Sequence, residues 1–199
     1  QNKPENLIID FANFAIRAVS VPIYATQSAA QIDYIVNDAE IATIFVGEQQ
    51  QYDNALQVLQ TSKYLKRIIV FDNHVNLKGE QRASYFSDFI NTGDNKANHA
   101  EVEKRKNAAK ESDLALLLYT SGTTGEPKGV MLPHSCILEA MRIHDIRITS
   151  VSRHDKSVCF LPLSHVFERG WTYFCFCKEI KIYLNLNPSD IMQTIKEIR

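Results

Sequence analysis

Short apolar, β-branched runs alternate along this chain with longer stretches of helical period, and no other feature limits the possible folds as much. The runs Ile41–Val46, Ile68–Phe71, Leu114–Tyr119, Val158–Leu161 and Ile180–Leu184 have the length and composition of strands buried on both faces. Val19–Tyr24 reads as a further strand, with Pro22 ending its pairing. Between these runs, Leu7, Ile8, Phe11, Phe14, Ala15 and Ala18 make one helical face, opened by Pro4. Ser28-Ala-Ala-Gln31 is a capping-box pattern ahead of Ile32, Ile35 and Val36, and Tyr52, Leu56 and Leu59 mark another helix. Helices are also expected from about Ser135, over 165–179, and after Pro188-Ser189. Strands alternating with helices of this length predict βαβ units, hence an α/β fold with a mainly parallel sheet covered by helices on both faces.

Composition narrows the function. A chain of 199 residues suits one domain, or one and a half. With 22 Lys+Arg against 23 Asp+Glu there is no polybasic field, so nucleic acid is not an expected partner. The longest apolar run, Leu114–Tyr119, falls far short of the ~20 residues of a membrane span, so a soluble chain is expected. Its four cysteines, Cys136, Cys159, Cys175 and Cys177, form no Cys-x-x-Cys pair, which argues against both a disulfide framework and a metal site. Cys175 and Cys177 lie among Trp171, Tyr173, Phe174 and Phe176 and read as buried thiols in a reducing cytoplasm. Segment 72–112 carries Asn, Asp, Lys and Glu, with Tyr85, Phe86, Phe89 and Ile90 as its only strong apolar stripe, and reads as a solvated helix or loop.

The chemistry is concentrated in Tyr119-Thr-Ser-Gly-Thr-Thr-Gly-Glu-Pro-Lys-Gly-Val-Met-Leu-Pro-His134. A buried strand delivers the chain into a loop with hydroxyls at Thr120, Ser121, Thr123 and Thr124. Gly122, Gly125 and Gly129 let backbone N–H groups approach a ligand closely, and Lys128 adds a cation. Hydroxyls, free amides and one positive charge suit a di- or triphosphate at the carboxyl end of a strand. The spacing is not that of a Walker A loop, because no Ser or Thr follows Lys128. The alternative, a plain polar surface loop, is disfavoured by the apolar strand before it and the Pro127-Lys128-Gly129 within it.

Tyr119–Val130 resembles the phosphate-loop signature of the acyl-adenylate-forming (AMP-binding) superfamily, which includes acyl-CoA synthetases, luciferases and peptide-synthetase adenylation domains. Phe160-Leu-Pro-Leu-Ser-His165-Val-Phe-Glu-Arg-Gly170 is similar to a segment of the long-chain fatty acid:CoA ligases. Val21–Thr26 with Ser28–Gln31, and Phe45–Gln49, resemble their upstream region, so the likeness spans most of the chain.

That resemblance implies a Rossmann-like subdomain and a two-step reaction in the parent protein. A fatty acid carboxylate is activated on ATP, and the acyl group is passed to coenzyme A. It further implies that Thr120, Ser121, Gly122, Thr123, Thr124, Gly125 and Lys128 bind the ATP phosphates, that Thr123 helps hold Mg²⁺, and that His165 is the catalytic-site histidine. For His165 a packed histidine at a helix start is the competing reading. Glu168 and Arg169 read equally as an internal ion pair, and Val166, Phe167, Trp171 and Phe174 read as core sooner than as an acyl tunnel.

The family's adenine-contacting Tyr-Gly-x-Thr-Glu segment does not occur here, nor are a ribose-binding Asp, a hinge and a small C-terminal domain found. Residues 1–199 are therefore expected to be part of the large N-terminal domain, with 1–112 a βα portion and 113–199 the phosphate-loop portion. Alone, the chain is expected to keep phosphate or ATP binding at most, and to self-associate through uncovered sheet edges. For the parent, a cytoplasmic place with peripheral membrane contact is expected. Activation of an aryl or amino acid, and a non-catalytic nucleotide-binding or interaction module, remain as alternatives.

Overall fold

The computed structural model describes residues 2–120 and 126–198. In chain order it contains α1 (Pro4–Ala15), α2 (Ala29–Asp38), β1 (Thr43–Val46), α3 (Gln49–Thr61), β2 (Arg67–Val70), β3 (Ala83–Tyr85), α4 (Phe86–Gly93) and α5 (Lys96–Asn107). There follow β4 (Leu114–Thr120), β5 (Lys128–Pro133), α6 (His134–Arg147), β6 (Lys156–Cys159), α7 (Val166–Cys177), β7 (Lys181–Leu184) and α8 (Ile191–Glu197), the last entered through a 3-10 turn at Pro188–Asp190. Contacts divide the chain into two compact units, one of Gln1–Pro22, Arg105–Leu118 and Val130–Arg199, the other of Ile23–Lys104 and Tyr119–Gly129.

In the second unit, β1, β2 and β3 form a parallel sheet in the order β1-β2-β3, with Ile44 opposite Ile68 and Val46 opposite Val70. Alternation along each strand sends those four side chains to one face. There they join Ile32 and Val36 of α2 and Tyr52, Ala55, Val58 and Leu59 of α3 in one buried cluster. The other face carries Phe45, whose ring meets those of Phe86 and Phe89 of α4. Helices thus cover both faces of this sheet, as the strand composition predicts. The α2 start is the expected capping box: Ser28 Oγ accepts from the Gln31 amide while Gln31 Oε1 accepts from the Ser28 amide.

In the first unit, β6 and β7 pair in parallel around the crossover helix α7. Cys159, Leu163, Tyr173, Leu7, Ala115 and Leu116 form its core, with Phe14, Leu132, Ile137 and Met141 packed against it. The alternation of strand and helix is therefore realised twice, as β1-α3-β2 and β6-α7-β7.

Three local expectations change. Val19–Tyr24 is not a strand: only Ser20 bridges, to Leu116, and Pro22 two residues on has no N–H to extend the ladder. Lys128–Pro133, read as loop, is strand β5, bonded to β4 across a connection shorter than a parallel crossover requires. Val130 and Met131 in it are exposed, so pairing and not burial makes the strand, and periodicity does not reveal it. Within the polar segment, Ala83–Tyr85 forms β3 against β2, while α5 is exposed along nearly its whole length.

Candidate functional site

Strand β4 runs buried from Ala115 to Tyr119 with Leu117 half-covered, then emerges at Thr120, whose side chain is exposed. Lys128, the first residue of β5, is exposed as well. Ser121, Gly122, Thr123, Thr124 and Gly125 lie outside the described residues. Thr120 and Lys128 therefore stand at the two ends of the glycine-rich segment, on strands that are hydrogen-bonded neighbours. Among the described residues no group of three or more His, Cys, Asp or Glu side chains converges as a metal site, and the expected Mg²⁺ ligand Thr123 is not among them.

Sequence reasoning missed the anchor of this segment. The hydroxyl of the buried Tyr119 is itself part-buried and donates to Asp38 Oδ2 at 2.5 Å, tying the residue before Thr120 to the last residue of α2. Burial, and then this bond to a carboxylate, push the Tyr119 phenol well above its usual range. Tyr34, one turn before Asp38, is also raised, by burial first and then by the charges of Asp38 and Glu126. A tyrosine closing an apolar strand directly before a run of hydroxyls was the available signal, since a buried phenol needs a partner.

In the other unit, His165 is exposed and is the N-cap of α7, where Nδ1 accepts from the Phe167 amide at 3.2 Å. It is neither packed nor enclosed by the described residues of its own unit. The segment leading to it is held from beneath: Leu161 N donates to Glu168 Oε2 (3.3 Å), and Arg169 Nε donates to the Leu163 carbonyl (2.7 Å). Glu168 and Arg169 do not pair with each other, correcting that expectation. Arg169 pairs with the buried Asp10 of α1, which also accepts from the Tyr173 hydroxyl at 2.7 Å. Geometry explains the outcome, because consecutive helical residues point about 100° apart and each finds its own partner. An acidic residue within the apolar face of α1 was the sign that Asp10 is paired inside.

The apolar stripe divides. Phe174 is buried and Trp171 half-buried, its Nε1 donating to Ser157 Oγ at 2.9 Å, but Val166 and Phe167 are 50% and 63% exposed and do not belong to the core. Cys177 and Cys136 are exposed, and only Cys159 and Cys175 are buried. Burial, followed by the charge of Glu168, pushes the Cys159 thiol up to about 12, which keeps it protonated and inert.

Residues 1–199 match the sequence profile described as AMP-binding enzyme. Long-chain-fatty-acid–CoA ligase 1 of Homo sapiens is 33% identical over 190 residues, covering 92% of this chain and 27% of that protein. Long chain acyl-CoA synthetase 3 of Arabidopsis thaliana is 32% identical over 195 residues, covering 91% of this chain and 28% of that protein. The chain thus spans little more than a quarter of these relatives. Among solved structures, a long-chain-fatty-acid-CoA ligase from Archaeoglobus fulgidus superposes with TM-score 0.72 at 22% identity, covering 99% of this chain and 36% of that one. A luciferase from Phrixothrix hirtus superposes with TM-score 0.75 at 17% identity, over 99% of this chain and 37% of that one. These two likenesses speak to the fold alone.

Proposed function

The chain belongs to the AMP-binding enzyme family, and on that premise we propose that it is the phosphate-loop-bearing part of a long-chain fatty acid:CoA ligase. The observation that carries the proposal is the family match over the whole chain, joined by relatives above 30% identity that bear that name.

The reaction has two steps. A carboxylate oxygen attacks the α-phosphorus of ATP, displacing pyrophosphate and leaving an acyl-adenylate. The coenzyme A thiol then attacks the acyl carbon and displaces AMP. The first step brings one anion onto another while charge grows on the leaving pyrophosphate, so donors and cations must already be in place. Thr120 through Gly125 supply hydroxyls and amides to the β- and γ-phosphates, and Lys128 offsets their charge. Mg²⁺, held in part by Thr123, would neutralise phosphate charge when bound. The Tyr119–Asp38 bond fixes where the segment leaves its strand. His165 orients the reacting groups by hydrogen bonding. In the cell the parent enzyme works in the cytoplasm, with peripheral contact to the membranes in which its fatty acid substrate partitions.

The test is pyrophosphate release by the full-length parent with ATP and either palmitate, benzoate or an amino acid, before and after adding coenzyme A. Release with palmitate, and thioester equal to AMP once coenzyme A is present, is the expected result. Release with only benzoate or the amino acid overturns the choice of acid, and none with any acid overturns the activity. Lys128→Ala is expected to raise the KM for ATP by about tenfold or more, the loss of one charge-assisted phosphate contact.

A further inference from the structure

We propose that Asn2, Glu168 and Arg169 are positioning residues: a buried clamp that sets the path of Leu161–His165 and so the placement of His165 in the reaction proposed above. The clamp grips backbone, not side chains. Asn2 Nδ2 donates to the Leu161 carbonyl at 2.8 Å, and its Oδ1 accepts from the Leu163 amide at 3.0 Å. Glu168 takes the Leu161 amide and Arg169 the Leu163 carbonyl. Every N–H and C=O of Leu161 and Leu163 is thereby bonded to a side chain that is itself buried. One more bond, His165 N to the Pro162 carbonyl at 2.8 Å, closes the turn just before the exposed imidazole.

Stability alone does not account for this arrangement. Glu168 is 2% exposed, yet its Oε1 meets no donor stronger than the neighbouring Cys159 thiol, and Thr172 Oγ1, one turn on, has only that same thiol beside it. A buried carboxylate oxygen left with only a weak thiol donor is costly, and a well-packed apolar residue there would be at least as stable. Arg169 in turn needs Asp10 and Tyr173 to carry its charge inside the core. The cost is concentrated beneath one segment, the one that ends at the exposed His165. Small displacements of a group that orients reactants cost up to about a hundredfold in rate, so a rigid seat has a chemical consequence.

The experiment uses the full-length enzyme and the variants Arg169→Lys, Glu168→Gln and Asn2→Ala, each alone and combined with His165→Ala. Arg169→Lys keeps the charge facing Asp10 but loses the fork that also reaches Leu163. Each single variant is expected to lower kcat about ten- to a hundredfold with the KM for ATP within about twofold. Backbone amides of 161–165 should exchange faster while those of β6 and β7 do not. On the His165→Ala background the same substitutions should cost less than about twofold, because the clamp acts through His165. Multiplicative losses in the double variants, or unchanged exchange at 161–165, overturn the clamp. Should Arg169→Lys fail to fold, Asn2→Ala leaves no buried charge unpaired and decides alone. An unmodified enzyme inert with every acid overturns the proposed function, and the clamp's role with it; an active enzyme with multiplicative double variants overturns the clamp only.

Discussion

Asp10 illustrates how one side chain can hold two elements while adding little net stability. Its carboxylate lies in the core of the first unit between the Arg169 guanidinium and the Tyr173 hydroxyl, joining α1 to α7. Burial raises the Tyr173 phenol above its usual range, so it remains a donor at any working pH. Removing one partner of such a set strands the other charge in the core. Asp10→Ala is therefore expected to destabilise the protein by ~3–5 kcal/mol, against ~1 kcal/mol for Tyr173→Phe, which removes a single bond. Urea unfolding of the two variants measures this, and equal losses would mean that Arg169 finds another partner. His165 separates structure from chemistry in the same way. His165→Ala removes a helix cap and should cost ~1 kcal/mol, whereas Asn is among the best N-caps and His165→Asn should leave stability intact. Activity is expected to fall in both; an active His165→Asn enzyme would reduce the histidine to its capping bond.

Among the elements, those made by burial were legible and those made by pairing alone were not. Ile68–Val70 of β2 and the Ile32 and Val36 face of α2 announce themselves because an apolar residue is required wherever a side chain meets the core. In β3 and β5 no residue is fully buried, so nothing in the order of residues marks them as strands. The candidate site divides likewise. Thr120 and Lys128 are readable from a signature, but Asp38, Asn2 and Asp10 act across long sequence separations that no local pattern records. A fourth such link joins the end of α1 to the entrance of β4, where Arg17 Nε and Nη2 donate to the two oxygens of Asp113 at 2.8 and 3.1 Å. That guanidinium, aided by the Lys110 amide, lowers the Asp113 carboxyl from 3.8 to about 2. A depressed carboxylate stabilises the fold above its unfolded pKa and ceases to do so as pH falls through the folded one. Stability should thus decline between about pH 4 and pH 2 more steeply in the unmodified protein than in Asp113→Asn. Urea midpoints at pH 5 and 2.5 test this, and parallel declines would show the pair to be too exposed to matter.

For the molecule as a whole, the contrast between two cores and the helix α5 (Lys96–Asn107) sets where the chain opens first. Each unit has its own buried cluster, that of the second built on β1, β2, α2 and α3 and that of the first on β4, β6 and α7. Helix α5 contributes no buried residue to either. An isolated helix of its length is marginal in water, and its stability comes from packing that α5 lacks. It also carries Lys96, Lys104, Arg105 and Lys106, with Lys110 three residues beyond its end. Proteases cut where backbone can leave its hydrogen bonds without disturbing a core. Brief trypsin treatment of the 199-residue chain is expected to cleave within 96–110 well before it cleaves at Arg67 of β2 or Arg169 of α7, elements that each place several side chains in a core. Mass spectrometry of the early fragments identifies the sites. First cuts at Arg67 or Arg169 would mean that the cores open before the exposed helix does, and that burial does not rank the stability of these elements.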